Sequence, residues 1–318
     1  MKIVIYGAGG VGAFFGGLLA RGGQDVHFVA RGAQLDALRM QGLRIDSLLL
    51  GQVQLGPLQA HARASGIGRA GLVLVCVKAH QTEGILDDLA SVIGDDTVIV
   101  TMQNGVESDE VVAARFGRAR VVPAVVYVGA TLDAPGMVTH VAAGTIVIGA
   151  RPGVDASRLP AVRDALAQSG QPVRISDDIQ RERWAKLVWN ASFNTVSAVA
   201  MREPRDLLAS PEARALVVGI MREVVAVAQA HGIALRESDI DQQIGWTERA
   251  TAVRTSMMVD RERGRAMETE ALVGVIVRLG RAHGVPTPFS EALYGLLKAI
   301  DAAPRPAAAQ QWVPPPVG

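Results

Sequence analysis

Four polar side chains in the second half of the chain share a helical spacing. They are Lys186, Asn190, Asn194 and Ser197. A helix over this segment would place all of them on one face. That face carries an ammonium, amides and a hydroxyl among tryptophans, whereas a solvated face usually carries several charges of both signs. The pattern favours the wall of a ligand cleft, and a solvated helix is the alternative.

Hydroxyl and carboxylate groups follow in a second segment nearer the C-terminus. Ser256 stands at its start, and Glu268 is one of several carboxylates in residues 261–270. Gly264 is expected to break the helix here, so that Glu268 begins another one. Taken alone, Glu268 is typical of the acidic residue that stabilises a helix N-terminus.

Lys78 and Asn104 each follow an apolar run that is typical of a buried strand. In a doubly wound sheet, ligands bind beyond the carboxyl ends of the strands. Lys78 would therefore place an ammonium where it meets the oxygens of a cofactor or substrate. The alternatives are an exposed charge at a strand end for Lys78 and a plain Asn-Gly turn for Asn104.

A glycine-rich turn joins the first predicted strand to the first predicted helix. Its sequence is G-x-G-x-x-G, formed by Gly7, Ala8, Gly9, Gly10, Val11 and Gly12. The first glycine permits the tight turn, the second lets a pyrophosphate approach, and the third lets the helix pack close to the sheet. A strand at 2–6, a helix from 14 and a second strand at 25–29 supply the context that this motif requires. The segment predicts a dinucleotide site, with a glycine turn without ligand as the alternative.

The residue after the second strand indicates which dinucleotide fits. An NAD site usually places Asp or Glu there to bind the ribose 2'-hydroxyl. This chain has Arg31, whose planar and permanently charged guanidinium suits a 2'-phosphate. NADP(H) is therefore the expected cofactor, and a solvated surface arginine is the alternative reading of Arg31.

The composition excludes several classes of protein. The 318 residues carry 32 Lys plus Arg against 31 Asp plus Glu, without the basic block that a nucleic-acid partner needs. Apolar runs are too short for a membrane span, and the N-terminus resembles a core strand, so a cytoplasmic protein without a membrane partner is expected. The single cysteine, Cys76, excludes a disulfide framework, and the six histidines lack metal-ligand spacing, so no metal is expected.

The order of predicted elements gives an α/β fold with two domains. Residues 1–176 alternate strands and helices, which predicts a Rossmann-type, doubly wound parallel sheet that binds NADP. Strands are expected at 2–6, 25–29, 72–77, 97–101 and 120–126, with a small hairpin between 42 and 60 and an antiparallel extension from strands 137–141 and 144–148. Residues 177–302 are expected to form an all-helical substrate and catalytic domain, and residues 303–318 a flexible tail.

Six ordered motifs together resemble the ketopantoate reductase (2-dehydropantoate 2-reductase) family over residues 1–300. They are G-A-G-G-V-G at 7–12, V-K-A-H-Q at 77–81, Q-N-G at 103–105, W-x-K-L-x-x-N-x-x-x-N at 184–194, S-M at 256–257 and R-G-R-x-x-E at 263–268. The resemblance implies a Rossmann-type domain, a helical domain and an active site between them. It also implies NADPH-dependent reduction of a 2-oxo acid, with ketopantoate, reduced to (R)-pantoate in pantothenate biosynthesis, as the best single substrate.

The resemblance also implies roles for individual residues. Lys186 would protonate the carbonyl oxygen, and Glu268 would orient the lysine and hydrogen-bond the new hydroxyl. The remaining implied contacts are Lys78 and Asn104 to cofactor and substrate, Asn190, Asn194 and Ser256 to substrate, and the glycine-rich turn, Arg31, Gln81 and Glu268 to cofactor. Burial beside tryptophans would lower the pKa of Lys186 from about 10.4, whereas Glu268 and a substrate carboxylate would raise it, so the sequence leaves its direction open.

Departures from the family pattern concern the substrate. The family often has N-G-E-L where this chain has E-P-R-D-L at 203–207, and often has glutamine where Val259 stands. A site that lacks such hydrogen-bonding partners discriminates less strongly for a substrate hydroxyl. A related reductase of another branched or aromatic 2-oxo acid therefore stays open, as do a non-catalytic NADP-binding sensor and a homodimeric assembly.

Overall fold

The computed structural model describes residues 1–250 and 254–302, so the predicted tail at 303–318 lies outside the described residues. Within these ranges the strands are β1 (Lys2–Tyr6), β2 (Asp25–Val29), β3 (Leu43–Ser47), β4 (Gly51–Leu55), β5 (Gln59–His61), β6 (Leu72–Val75), β7 (Val98–Thr101), β8 (Val121–Ala134), β9 (Met137–Gly149) and β10 (Val173–Ser176).

The α-helices in the same ranges are α1 (Gly10–Arg21), α2 (Gly32–Met40), α3 (Leu86–Ala90), α4 (Ser108–Phe116), α5 (Leu159–Ala167), α6 (Ile179–Trp189), α7 (Thr195–Ala200), α8 (Pro204–Ala209), α9 (Pro211–Ala230), α10 (Glu237–Arg249), α11 (Ser256–Glu262), α12 (Val275–His283) and α13 (Pro288–Ala302). Two π-helical segments, Asn190–Asn194 and Glu270–Gly274, adjoin α7 and α12. In the described part of the chain, no helix is long and apolar enough to cross a membrane.

The strands form one mixed sheet with the order β4-β3-β9-β8-β7-β6-β1-β2-β5, and β10 pairs with β9. From β5 to β8 along this order, every neighbouring pair is parallel. The order in which strands are added to the sheet reverses at β1, because β2 and β5 lie on one side of it and β6, β7 and β8 on the other. The predicted Rossmann-type, doubly wound sheet is confirmed, and β1 and β6 form the switch point at which such sheets bind ligands.

Both faces of this sheet are covered, as the uninterrupted apolar strands require. Ile3 and Ile5 of β1 belong to a core cluster that contains Phe14 and Leu18 of α1. Val4 and Tyr6, the alternate residues of the same strand, belong to a second cluster. Because successive strand residues point to opposite faces, the two clusters lie on opposite sides of β1.

The antiparallel extension differs from the prediction of separate strands at 137–141 and 144–148. The structure has one long strand, β9, which pairs antiparallel with β8. Ala143 and Gly144 have φ angles of 60° and 135° and lie at a register shift within the pair, so they form a bulge rather than a turn. The hairpin turn is instead at Pro135 and Gly136. Strand β8 accordingly runs to Ala134 instead of ending at residue 126.

The other predicted strands differ from the structure only at their ends. Strands β1 and β2 match the predicted bounds, β6 ends two residues early and β7 begins one residue late. Strands β3 and β4 form the small hairpin expected between residues 42 and 60. Strands β5 and β10 were not predicted. In the described residues 178–250 and 254–302 there is no strand, as predicted.

The chain divides into two compact units, Met1–Trp184 and a second one that begins at Ala185. The division falls inside α6, whose first part is fixed in the first unit by a buried ion-pair network. Asp109, 1% exposed, accepts a hydrogen bond of 2.6 Å from Arg183 and another of 2.6 Å from Arg151. Burial alone would raise the pKa of Asp109, but the two guanidiniums outweigh it and hold the pKa below its ordinary value.

Candidate active site

The glycine-rich turn between β1 and α1 is packed tightly on its protein side and is open on the other. Gly7 has a φ of 102°, and a Cβ there would lie 2.8 Å from the backbone nitrogen of Val77. A Cβ on Gly12 would overlap the carbonyl oxygen of Gly7, so α1 packs directly against the turn. A Cβ on Gly9 would meet no atom within 4 Å. The turn therefore leaves free space at the residue that a pyrophosphate approaches.

The N-terminus of α1 supplies hydrogen-bond donors to the same space. The first bond of this helix runs from the Ala13 amide to the Gly9 carbonyl, at 2.8 Å. The amides of Gly10, Val11 and Gly12 therefore have no acceptor within the helix, and its first turn carries no acidic residue. Free amides and the positive end of the helix dipole bind anions, so the turn fits the pyrophosphate of a dinucleotide.

Gln34 braces this turn, a role that the sequence analysis missed. Its side-chain amide donates to the Ala8 carbonyl at 3.1 Å, and its carbonyl accepts from the Gly136 amide at 2.8 Å. One side chain from α2 thus connects the glycine-rich turn to the β8–β9 hairpin turn. A glutamine in the first turn of a helix after the second strand is too common a feature to predict this contact.

Arg31 lies where the sequence predicts a phosphate-binding residue. It is the exposed residue between β2 and α2, and its guanidinium lies close to the hydroxyl of Tyr6. That hydroxyl donates a 2.6 Å hydrogen bond to Asp88. Burial and the neighbouring Asp88 carboxylate raise the pKa of Tyr6 well above its usual range, so its hydroxyl stays protonated.

Lys78, Gln81 and Asn104 follow strands β6 and β7 at the same edge of the sheet. The Cys76 amide donates to the Tyr6 carbonyl at 2.8 Å, which places the segment leading to Lys78 beside the end of β1. The Gln81 side chain accepts a 3.2 Å hydrogen bond from the Lys78 amide and so fixes the turn that carries both residues. Because β1, β6 and β7 are parallel neighbours, these residues and the glycine-rich turn follow the ends of the strands at the same edge of the sheet.

Lys186 and Glu268 come together in the second unit. Lys186 lies on α6 and is partly buried, and Glu268, 7% exposed, immediately precedes the helical turn that starts at Thr269. Burial lowers the pKa of Lys186 to about 8, although the nearby Glu268 carboxylate raises it in part. The structure thus resolves the direction that the sequence left open, because the burial of the ammonium outweighs the attraction of the carboxylate.

The helix after Lys186 is not regular, which corrects the predicted straight stripe of polar residues. Residues Asn190–Asn194 form a π-helical turn, which is wider than an α-helical turn and changes the angle between residues four apart. The Ser192 hydroxyl donates to the Val188 carbonyl at 2.7 Å within this segment. Such π turns in helices occur frequently at functional sites.

The structure gives the burial and the contacts of each of the other predicted polar residues of the second unit. Asn190 and Asn194 are 4% and 3% exposed within the π-helical turn. The Ser256 hydroxyl at the start of α11 donates a long, 3.5 Å hydrogen bond to the Asn194 side chain, so these two residues do come together. Ser197 is fully buried, and its hydroxyl has no hydrogen-bond partner among the described residues. As predicted, Gly264 follows the end of α11, with a φ of 60°.

Comparison with family models matches both parts of the chain. Residues 3–153 match the model described as "Ketopantoate reductase PanE/ApbA". Residues 178–301 match the model described as "Ketopantoate reductase PanE/ApbA C terminal".

Comparison with individual proteins gives relatives that share nearly the whole length of the chain. A 2-dehydropantoate 2-reductase of Mesorhizobium japonicum is 33% identical, over 94% of this chain and 98% of the relative. A crystal structure of 2-dehydropantoate 2-reductase from Geobacter metallireducens is 33% identical with a TM-score of 0.89, and the match covers 94% of this chain and 99% of that one. A ternary structure of D-mandelate dehydrogenase with NADH and anilino(oxo)acetate is 23% identical with a TM-score of 0.88, over 95% and 98% of the two chains, and shares the fold.

Proposed function

Because the chain belongs to the ketopantoate reductase family of NAD(P)-dependent oxidoreductases, we propose that it reduces 2-dehydropantoate to pantoate with NADPH. The observation that carries this proposal is the Lys186–Glu268 pair, with a lysine whose pKa is about 8. Such a lysine is mostly protonated at neutral pH and can still give up its proton readily. Those are the properties of a general acid that works near pH 7.

The chemistry balances with the groups available. NADPH, when bound, supplies a hydride, which is a proton with two electrons, to the carbonyl carbon of the 2-oxo acid and is thereby oxidised to NADP+. The electrons of the C=O π bond move to oxygen, and the Lys186 ammonium stabilises this developing charge. The ammonium then transfers its proton to the oxygen, which gives the 2-hydroxy acid and leaves a neutral amine that regains a proton from water. Glu268 orients the ammonium and accepts a hydrogen bond from the new hydroxyl.

The binding roles divide between the two parts of the chain. In the proposal, residues 1–176 bind NADP(H) through the glycine-rich turn, Arg31 and the edge residues Lys78, Gln81 and Asn104. Residues 177–302 bind the substrate through Asn190, Asn194 and Ser256, and Glu268 also contacts the cofactor. Lys78 and Asn104 contact the substrate as well.

The proposal includes three finer statements about cofactor, location and assembly. NADP(H) is preferred over NAD(H), because Arg31 stands where an NAD site would carry a carboxylate. The enzyme works in the cytoplasm. It forms a homodimer, as the 22% identical ketopantoate reductase from Staphylococcus aureus is described to do. Light scattering on the purified protein measures this last point.

A second candidate function is the reduction of a different 2-oxo acid. Val259, 6% exposed, stands where the family often has glutamine, and Glu203 precedes α8 where the family often has asparagine. A pocket without these amides has fewer hydrogen bonds to offer the hydroxyl of 2-dehydropantoate. A non-catalytic NADP sensor is the third candidate, but pure cofactor binding requires neither Lys186 nor Glu268.

The experiment is NADPH oxidation with a panel of branched and aromatic 2-oxo acids that includes 2-dehydropantoate. The proposal expects the highest kcat/KM for 2-dehydropantoate and a loss of about a thousandfold in Lys186→Ala, the scale of one general acid. Lys298→Ala is the matched control, because this exposed lysine pairs with Glu270 instead. A higher kcat/KM on another member selects the second candidate, and absence of turnover with retained NADPH binding selects the sensor.

A further inference from the structure

A second arginine, Arg63, follows the strand that pairs with the strand before Arg31. Strands β2 and β5 pair in parallel, with Val29 opposite His61, and the Ala30 amide donates to the His61 carbonyl at 3.0 Å. Arg31 is two residues beyond Val29, and Arg63 is two residues beyond His61. Both arginines are exposed. Neighbouring strands lie about 4.8 Å apart, so the two short segments that carry these long side chains start from adjacent points on one edge.

One carboxylate contacts both the segment that carries Arg63 and the tyrosine beside Arg31. The Oδ2 atom of Asp88 accepts a 2.6 Å hydrogen bond from the Tyr6 hydroxyl, which lies close to the Arg31 guanidinium. The same oxygen accepts a 2.8 Å hydrogen bond from the amide of Ala64, the residue after Arg63. Asp88 therefore ties the segment that carries Arg63 to the tyrosine beside Arg31.

The charges at this edge favour an anion. In residues 1–250 and 254–302, no acidic side chain forms an ion pair with Arg31 or Arg63. Two guanidiniums against the single carboxylate of Asp88 leave a net positive charge. The other acidic residue on these strands, Asp25, begins β2 and so lies at the opposite end of that strand. Burial and the neighbouring His27 lower the pKa of His61, which is therefore neutral near pH 7.

We propose that Arg63 binds the 2'-phosphate of NADP(H) together with Arg31, and that Asp88 and Tyr6 position the two guanidiniums. This inference rests on the proposed use of NADP(H) and adds a residue that determines cofactor specificity. A phosphate dianion presents several oxygens to two planar donors, whereas the 2'-hydroxyl of NAD(H) gains little from a second guanidinium.

The test is direct binding of three ligands to the full chain: NADPH, NADH and adenosine 2',5'-bisphosphate, which contains the phosphate without the nicotinamide. In Arg63→Ala, the affinities for NADPH and for the bisphosphate should each fall about tenfold, and the affinity for NADH should change less than about twofold. The reason is that a hydrogen bond to a charged group is lost only where the phosphate is present. Arg63→Lys should recover part of the affinity. Arg163→Ala, which removes an exposed arginine paired with Asp164, is the control and should change none of the three.

Tyr6→Phe tests the positioning role without removing either arginine. It deletes the hydroxyl between Arg31 and Asp88, and should weaken NADPH by about threefold, with no change for NADH. Equal weakening of NADPH and NADH in Arg63→Ala would overturn the inference, because it would mean that Arg63 stacks on the adenine. An unchanged Arg63→Ala beside a weakened Arg31→Ala would also overturn it while leaving the proposed function intact. A wild-type protein without NADPH preference would instead refute the proposed cofactor.

Discussion

The pH dependence of reduction tests the pairing of Lys186 with Glu268. With a pKa of about 8, Lys186 at pH 7 has about ten ammonium groups for every amine. If the ammonium is the general acid, kcat/KM for the 2-oxo acid should be level below neutrality and fall by half near the pKa. At one pH unit above the pKa, it should be about one tenth of its plateau.

Replacing Glu268 by glutamine should move this decline to lower pH. The Glu268 carboxylate raises the pKa of Lys186 against the effect of burial, so its removal leaves burial unopposed and the lysine loses its proton earlier. The assay is the initial rate of NADPH oxidation at low substrate concentration, from about pH 6 to pH 10, because kcat/KM then reports the free enzyme.

Two further variants show whether the shift of the pH profile comes from the interaction of Glu268 with Lys186. Glu270→Gln is the matched control, since Glu270 is two residues away but hydrogen-bonds Tyr294 and Lys298, so the decline should stay in place. Lys186→Arg should show a lower rate with no decline in this range, because a guanidinium stays charged. A Glu268→Gln profile that is unshifted, or shifted to higher pH, would refute the electrostatic coupling on which the proposed acid depends.

Two further predictions concern cofactor binding and stability. Gly12→Ala would force a Cβ into the Gly7 carbonyl, so its free energy of unfolding in urea should fall by about 3 kcal/mol. Gly9→Ala has open space for the new Cβ, so its free energy of unfolding should lie within about 1 kcal/mol of the wild-type value. The affinity of Gly9→Ala for NADPH should nevertheless fall at least about tenfold. Equal stability of the two variants would contradict the packing argument. Asp109→Ala removes the carboxylate partner of the buried Arg183, while Arg151 keeps its ion pair with Glu110, and should cost about 3–5 kcal/mol at pH 7. Since the folded pKa of Asp109 is lowered, its contribution is present above the unfolded pKa and should disappear as pH falls through the folded value, which urea unfolding at descending pH measures.

Local sequence patterns were enough to predict where the strands that end at the cofactor-binding edge of the sheet begin and end. Strands β1 and β2 are short and mostly apolar, and each is followed within three residues by a glycine, so their ends show in the sequence. Strand β9 was divided wrongly, because Ala143-Gly144 has the composition of a turn but forms a bulge. Only pairing with β8 keeps both halves of β9 in one strand. Strand β10 is a short segment whose parallel partner is more than twenty residues away, which no local period reveals.

Contacts between distant segments limited the prediction of the site in the same way. The sequence placed a lysine and a carboxylate in the helical half but could not determine whether burial or attraction dominates the lysine pKa. Asp88 gave no signal, since its importance comes from accepting hydrogen bonds from Tyr6 and Ala64, which are far from it in sequence. The same holds for Arg63, whose proximity to Arg31 depends on the unpredicted strand β5.

The wide turn at Asn190–Asn194 changes which residues of this helix correspond in space to those of a regular α-helix. A π turn inside an α-helix corresponds to one extra residue, so deleting one residue there would restore regular winding. Because the wide turn absorbs that extra residue, the side chains beyond the deletion would keep nearly the same orientation relative to Lys186. Homologues aligned across this segment without attention to such gaps would therefore show conserved asparagines at positions that are not equivalent in space.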